Sequence, residues 1–128
     1  MPHAAPRAGL ASLAMLVAAT LACSTLFMGE NERFIQGTWT YSTSTDDGHG
    51  TFLDLTFKPG NFRMLGYPPL EQTGEYHVLS TNGDTLTIHL TRQSGDLPTD
   101  DRDMVIVIDR AADQLLIDAG GPYSRKGP

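Results

Sequence analysis

The chain holds one cysteine, Cys23, the only thiol that could act as a nucleophile, a metal ligand or a site of covalent modification. It stands at the end of an apolar run, in "LVAATLACSTLF", and polar sequence follows it. An unpaired cysteine in an exported chain calls for an explanation such as chemical modification. We do not expect Cys23 to be a catalytic nucleophile, because the resemblance of the residues around it to a known motif, given below, implies an attachment point.

Histidines are the next candidates for chemistry. The alternating pattern places His77 and His89 as diagonal neighbours on the outer face of a sheet, with Glu75 beside His89. Two imidazoles and a carboxylate can bind zinc, but polar residues on a solvated face explain them as well. His49 falls in a turn without an identifiable partner. We assign no metal site to these residues.

The run "DLPTDDRD" gathers Asp96, Asp100, Asp101 and Asp103 in one loop. Carboxylates are calcium ligands, but this loop lacks the glycine that a calcium-binding loop needs for its turn, and Arg102 neutralises part of the charge. A solvated loop is the better interpretation. The chain also lacks a glycine-rich phosphate loop, zinc-ligand spacing and a nucleophile elbow. We expect no catalytic residues, no cofactor and no enzymatic activity.

The first 22 residues differ in composition from the rest. "MPHAAPR" carries one basic residue, Arg7, and residues 8–22 contain no charge. This apolar run is shorter than the ~20 residues that a membrane-spanning helix needs, and its charged head is typical of a secretory signal. Residues 1–22 are therefore predicted to be a signal peptide. A buried core helix and an uncleaved anchor are the alternatives.

The "LAC" that ends this segment resembles the lipobox of bacterial lipoproteins, with Thr20 where that box usually has leucine. The resemblance implies cleavage before Cys23, acylation of Cys23 with palmitate-type chains, and a lipidated tether over residues 23–32. It implies the bacterial cell envelope, and Ser24 implies the outer membrane where a cell has two membranes. A plain secreted protein is the alternative.

The charge of the mature chain limits its partners. Loss of the leader removes one of the nine basic residues, so that eight basic residues remain against 15 acidic ones, a net charge of −7. Nucleic-acid binding depends on Lys and Arg contacts to phosphate, and docking on anionic lipid needs basic clusters. We expect no nucleic-acid partner, and membrane attachment through the lipid on Cys23 alone.

Beyond the tether, apolar residues alternate with polar ones in "GTWTYSTST", "TFLDLTFK" and "TLTIHL". This period of two is typical of strands with one buried face, and turn signals at "DDGHG", "KPGN", "TNGD" and "RAAD" separate them. The pattern predicts an antiparallel meander. The predicted cross-strand neighbours are Phe57–Phe62 and Leu55–Met64, Val78–Leu86 and Tyr76–Ile88 (through a three-residue loop that pairs Ser80 with Asp84), and Ile108–Leu115 and Ile106–Ile117.

"IQGTWTY", preceded by the short helical turn "NERFI", and the ending "GPYSRK" resemble the opening and closing motifs of small bacterial lipocalin-like domains, over residues 33–126. The resemblance implies an all-β, small antiparallel up-and-down β-barrel over residues 33–128. It implies structural roles for Gly37, Trp39, Tyr123 and Arg125, with Arg125 lying against Trp39 as a cation–π contact. An open β-sandwich is the alternative fold, and a solvated Arg125 beside an ordinary core tryptophan is the alternative for the pair.

Such a domain is expected to bind either a small apolar ligand or a protein partner. The strands are short, and a barrel this small can be filled by its own side chains. A structural envelope lipoprotein and a periplasmic protein inhibitor of the anti-lysozyme type are the alternatives. The inner face is predicted to comprise Trp39, Tyr41, Leu53, Leu55, Phe57, Phe62, Met64, Tyr76, Val78, Leu86, Ile88, Leu90, Met104, Ile106, Ile108, Leu115, Ile117 and Tyr123.

Three apolar residues fall on the opposite, outer face. Val107 and Leu116 are predicted cross-strand neighbours, with Val105 next along the strand. Apolar side chains that cluster on a solvated face are typical of covered or interacting surfaces. We expect part of "TLFMGENERFI" to fold back over this patch, or a partner to bind there.

Overall fold

The computed structural model describes residues 28–44 and 50–127. One short helix precedes eight strands in these ranges. The elements are α1 (Glu30–Ile35), β1 (Gly37–Ser44), β2 (Gly50–Lys58), β3 (Asn61–Tyr67), β4 (Leu70–Asn82), β5 (Thr85–Gly95), β6 (Arg102–Asp109), β7 (Gln114–Ile117) and β8 (Gly120–Arg125).

The strands form a closed antiparallel barrel in which each strand pairs with its neighbours in sequence. The last strand returns to the first, where Trp39 pairs with Arg125 and Thr40 with Ser124. Closure removes the free strand edges that an open sheet would expose. The predicted up-and-down barrel is confirmed, and the open sandwich is wrong.

Several predicted features lie outside the described residues: the signal peptide 1–22, the lipidation site Cys23, the tether up to residue 27, and His49. Helix α1 begins at Glu30, so its first turn falls within the segment predicted to be tether. Within residues 28–44 and 50–127, no helix has the length and apolar character needed to cross a membrane.

Two of the three predicted hairpin registers are confirmed. Phe57 pairs with Phe62 across the turn at Pro59-Gly60, and Ile108 pairs with Leu115 across the turn at 110–113. In both hairpins the turn length sets the register that places apolar side chains on one face. Local turn chemistry is therefore sufficient to predict these two pairings.

The register predicted between β4 and β5 is wrong by two residues. The structure pairs Val78 with Ile88 rather than with Leu86, and Tyr76 with Leu90 rather than with Ile88. The predicted faces are nevertheless correct, because a shift of two residues keeps every side chain on the same side of the sheet.

The cause of this difference is a β-bulge. The turn leaves two residues at its tip, since Asn82 pairs with Thr85, and Gly83 has the expected left-handed conformation with φ +60°. A two-residue turn alone would point the apolar residues of β4 outward. One extra residue, Leu79, lies between the paired Val78 and Ser80 and restores the alternation.

The barrel interior is filled by inward-facing side chains. The buried hydrophobic residues of the strands all belong to the inner face predicted from the sequence, and each is at most 7% exposed. They are Trp39, Leu55, Phe57, Phe62, Met64, Tyr76, Leu86, Ile88, Leu90, Met104, Ile106, Ile108, Leu115 and Ile117. Leu53, Val78 and Tyr123 pack against this core while partly exposed.

Helix α1 closes one end of the barrel. Ile35 is fully buried, and its carbonyl accepts a hydrogen bond from Trp39 Nε1 at 2.8 Å. The Asn31 side chain, 7% exposed, donates to Thr81 Oγ1 at 2.6 Å and to the Gly83 carbonyl at 2.8 Å. These bonds tie the helix to the β4–β5 turn and fix its position over the core.

Candidate functional site

The first candidate is the pair Trp39 and Arg125 at the end of the barrel that α1 closes. The Arg125 guanidinium lies 4.2 Å from the Trp39 ring centroid and 5.2 Å from that of Phe34. Trp39 is fully buried, whereas a third of the Arg125 side chain is exposed. The expected contact is present, and the alternative of a solvated Arg125 is excluded.

The donors of Arg125 are directed at groups of the protein. Nη2 donates to the Phe34 carbonyl at 2.9 Å and Nη1 to the Gln36 carbonyl at 3.0 Å, both at the carboxyl end of α1. Nε donates to the Asp113 carboxylate at 3.0 Å. A planar guanidinium can satisfy these directions at once. Arg125 therefore joins the last strand, the helix and the β6–β7 turn.

The other two motif residues have different positions. Gly37 begins β1 with φ +116°, and a β-carbon there would lie 3.3 Å from Arg125 Nη1, so that the residue permits both the turn and the arginine. Tyr123 lies further along β8 and packs against Tyr41, with ring centroids 5.4 Å apart. Burial raises the pKa of the Tyr123 hydroxyl. The motif is thus spread along the closing seam and does not form one site.

The opposite end of the barrel is covered by the β5–β6 loop. Gln72 is fully buried and accepts a hydrogen bond from the Leu97 amide at 3.1 Å, while its Nε2 lies 3.4 Å from the Pro98 carbonyl. Leu97 packs against the core. A buried glutamine is costly unless its polar atoms are bonded, so Gln72 holds this loop over the barrel end. The sequence offered no signal for this role, because glutamine is usually exposed.

The second candidate is the apolar patch on the outer face of β6 and β7, which we define as Val105, Val107 and Leu116. Val107 pairs with Leu116 as predicted. The three side chains are 41%, 38% and 41% exposed. The expectation that the segment before the barrel covers them is wrong for residues 28–35, since α1 lies on the barrel end. Leu26 and Phe27 lie outside the described residues.

Acidic side chains lie at the ends of this patch. Exposed Asp103 and Asp109 lie at the two ends of the β6 stretch, and the Asp118 carboxylate accepts a hydrogen bond from the Val105 amide at 2.9 Å. The neighbouring cations are paired: Arg102 with Asp118 at 3.2 Å and Arg110 with Asp84 at 3.3 Å. The patch therefore has an apolar centre and an acidic rim.

A second exposed apolar group lies on the outer face of β2 and β3. Phe52 and Tyr67 are cross-strand partners with rings stacked at 6.5 Å, and they are 44% and 55% exposed. Leu65 adjoins them with 37% exposure. The alternation in "TFLDLTFK" already directs Phe52 outward, so this group could have been found from the sequence, but no residue pattern pointed to its function.

Two grooves flank α1 on the outside of the barrel end. One, of about 320 Å³, lies between the helix and the β4–β5 turn, and Asn31, Thr81 and Leu86 are among its lining residues. The other, of about 370 Å³, is lined by residues that include Met28, Glu32 and Tyr76. Both grooves reach inward-facing residues of the barrel, Leu86 in the first and Tyr76 in the second.

Comparison of the chain with protein-family models, with curated proteins and with solved structures finds no match in any of the three. The observations that bear on function are therefore the residues themselves: a filled barrel, an arginine-closed end and an apolar patch with an acidic rim.

Proposed function

We propose that this chain is an exported, lipid-anchored protein of the bacterial cell envelope whose β-barrel binds a protein partner through the patch Val105, Val107 and Leu116. The supporting observation is the contrast between the two faces of β6. The inward side chains Met104, Ile106 and Ile108 are at most 3% exposed, whereas the outward Val105 and Val107 are about two-fifths exposed.

The filled interior favours a protein partner over a small ligand. Ligand sites are concave and enclose most of the ligand's surface, whereas the inward side chains of this barrel pack on one another and the grooves of about 320 and 370 Å³ lie beside α1 at the barrel end. A sheet face with exposed aliphatic side chains suits a flat protein surface, in which an apolar centre lies within a polar rim.

The charges define the complementary surface. Asp103, Asp109 and Asp118 border the patch, and the mature chain carries a net charge of −7. The partner is therefore expected to present apolar side chains within a basic rim. Opposite charges at such a rim mainly accelerate association, and salt weakens their effect.

The anchor is proposed from the sequence. Acyl chains on Cys23 would contribute about 0.8 kcal/mol per buried methylene, and two or more chains would give stable attachment. A Cys23→Ser variant should then move from the detergent phase to the aqueous phase in detergent partition. Recovery of the unaltered protein in the aqueous phase would contradict the anchor.

Partner binding can be tested separately by site-specific photo-crosslinking in intact cells. A photo-reactive residue at position 116 should give one crosslinked product whose yield falls with added salt and which disappears with Val107→Asp. The matched control is position 73, since Thr73 is exposed on β4, remote from the patch.

Three outcomes would overturn this part of the proposal. They are a product of equal yield from position 73, a product unaffected by Val107→Asp, and a product with twice the mass of the chain, which would indicate self-association. Native mass spectrometry that detects a stoichiometric co-purified small molecule would favour the ligand-carrier function instead.

A further inference from the structure

Two histidines face each other on the outer surface of the barrel. His77 on β4 and His89 on β5 are direct cross-strand partners, and not diagonal neighbours as the sequence predicts. Their ring centroids lie 5.3 Å apart with an interplanar angle of 58°. Directly opposed residues on one sheet face have β-carbons about 4.5–5.5 Å apart, so that their side chains can act together. The bulge at Leu79 produces this pairing, because it sets the register of the two strands.

A carboxylate orients one of these rings. Asp103 on β6 is the cross-strand partner of His89 on the other side, and His89 Nδ1 lies 2.7 Å from Asp103 Oδ1. When Nδ1 donates its hydrogen to the carboxylate, Nε2 keeps its lone pair. A carboxylate that holds the second nitrogen of a histidine is the usual outer partner of a metal-binding imidazole.

Glu75, the carboxylate nearest to His77 along β4, is engaged elsewhere. Glu75 lies two residues before His77, opposite Thr91, and its Oε2 is 3.2 Å from Arg92 Nε. In residues 28–44 and 50–127 no three His, Cys, Asp or Glu side chains are placed to hold one metal ion together. The described part of the chain therefore offers two ring nitrogens at this point, and a metal ion held by them would complete its coordination with water or with a ligand from another molecule.

We propose that His77 and His89 bind one divalent zinc or copper ion, with Asp103 as the residue that positions His89. Imidazole nitrogen suits these ions, whereas magnesium and calcium prefer oxygen ligands. The side chain of His89 is 29% exposed and that of Asp103 is 54% exposed, so that the site is accessible from solvent. This inference uses neither the anchor nor the apolar side chains of the patch, and it shares with the proposed function one residue, Asp103 of the acidic rim.

The test is titration of the full chain with the metal alone. The chain carries Cys23→Ser, to remove the thiol as a competing ligand, and is purified without a histidine tag. Isothermal titration in a non-chelating buffer should give one equivalent of Zn²⁺ or Cu²⁺ bound and none of Mg²⁺. His77→Gln or His89→Gln should each lower the affinity at least tenfold, and His49→Gln is the matched control.

Asp103→Asn tests the positioning role. We expect it to lower metal affinity about 10–100-fold, with the melting temperature of the metal-free protein unchanged. The ¹⁵N chemical shifts of His89 report which ring nitrogen carries hydrogen. If Asp103 positions His89, Asp103→Asn should change these shifts; if Asp103 has a merely structural role, they should stay the same. The Cu²⁺ electron paramagnetic resonance spectrum should show coupling to two nitrogens in the unaltered site and to one in each single histidine variant.

Several results would overturn the proposal. Equal affinity in the His77 and His89 variants, an equal loss with His49→Gln, or equal binding of Mg²⁺ would each mean adventitious binding only. Unchanged affinity and unchanged ¹⁵N shifts in Asp103→Asn would remove the positioning role. Circular dichroism of each variant identifies any that has failed to fold, and His77→Asn then replaces a misfolded His77→Gln.

Discussion

At the residue scale, Arg125 combines a cation–π contact with hydrogen bonds to three other residues. One face of its guanidinium stacks on the buried Trp39, and its edge donates to two carbonyls at the end of α1 and to Asp113. Cation–π contacts contribute about 0.5–2 kcal/mol, and hydrogen bonds that involve a charged group about 1.5–3 kcal/mol. Several moderate interactions therefore meet in one residue.

We predict that Arg125→Gln lowers the free energy of unfolding by about 2–4 kcal/mol. Arg125→Lys should recover less than half of that loss, because an ammonium group cannot reproduce the planar set of donors. Arg102→Gln is the control: the Arg102–Asp118 pair is more than two-fifths exposed on both sides, and such pairs contribute at most about 1 kcal/mol. Urea unfolding of the three variants measures the difference, and equal losses at positions 125 and 102 would contradict the role of Arg125.

Tyr76 links protein stability to pH in the alkaline range. Burial is the main reason that its pKa is raised to about 12; the hydrogen bond from Gln36 lowers the pKa, and the Glu32 carboxylate raises it. The hydroxyl accepts from Gln36 Nε2 at 2.9 Å and donates to Glu32 Oε2 at 3.2 Å. The neutral phenol is therefore favoured in the folded barrel.

A folded-state pKa above the unfolded value of 10.0 gives stability that is fully present below pH ~10 and is lost as the pH rises towards ~12. Over that window the unfolded state releases its proton first, so the free energy of unfolding should fall by up to about 1.4 kcal/mol per pH unit through this group. Tyr76→Phe should show a shallower decline than the parent chain when urea unfolding is followed from pH 8 to 11.5. Parallel curves for the two proteins would disprove the linkage.

At the element scale, the bulge at Leu79 allows β4 to keep its apolar residues on the inner face although it ends in a tight turn. The tight turn at Gly83 and the alternation of β4 conflict, and the extra residue between Val78 and Ser80 removes the conflict. Beyond the bulge, Thr81 pairs with Leu86 and accepts the hydrogen bond from Asn31 of α1. The bulge therefore also decides where the helix is held.

Deletion of Leu79 should be tolerated. Between Glu75 and Asn82 the ladder would become regular with every remaining side chain on its present face, and the half-exposed Leu79 contributes little burial. We expect the free energy of unfolding to fall by less than about 2 kcal/mol. Deletion of the exposed Arg63 is the matched control, because β3 has regular ladders on both sides.

The Arg63 deletion should cost more than about 3 kcal/mol, since a one-residue slip turns Phe62 or Met64 outward. Thermal unfolding followed by circular dichroism compares the two deletions. If the Leu79 deletion lowers the free energy of unfolding more than the Arg63 deletion does, this expectation is contradicted. The bulge would then stabilise the barrel by more than keeping the apolar side chains of β4 on the inner face.

At the scale of the whole molecule, the barrel is unevenly closed. β1 pairs with β2 along its full length, from Gly37–Phe57 to Ser44–Gly50, whereas its pairing with β8 covers Trp39–Arg125 and Thr40–Ser124. The bond from the Lys126 amide to the Thr38 carbonyl, at 2.8 Å, extends this seam by one step. The β1–β8 seam is therefore the weakest part of the closed sheet.

Hydrogen exchange should reveal the seam. Amides of β8 should exchange faster than those of the long β4–β5 hairpin, because local opening needs less free energy where fewer ladder bonds must break. Exchange measured by mass spectrometry or NMR under native conditions gives the comparison. Equal protection of β8 and β5 would mean that the barrel opens only as a whole.

The sequence by itself determined the properties that depend on near neighbours. Alternation placed residues such as Leu55, Ile88 and Ile106 on the inner face, turn lengths set two hairpin registers, and the Gly-x-Trp and closing arginine motifs led to a barrel with Trp39 and Arg125 in contact. The faces and the two registers follow from periods and turns within about ten residues of chain, whereas the contact of Trp39 with Arg125 was expected only from the resemblance of these two motifs to a known family. Glycine at position 83 likewise indicated a left-handed turn without knowledge of the fold.

Only the tertiary structure decided the features that depend on packing between distant segments. The bulge leaves Leu79 unpaired, and contacts across the barrel compensate for the lost pairing. No local sequence pattern therefore predicts it. Gln72 becomes a buried anchor because a loop more than twenty residues later returns over it. His77 and His89 become partners through the same bulge. Val107 is exposed because α1 lies on the end of the barrel and not over β6. The position of α1 depends on its hydrogen bonds to the β4–β5 turn, which the helix sequence alone does not indicate.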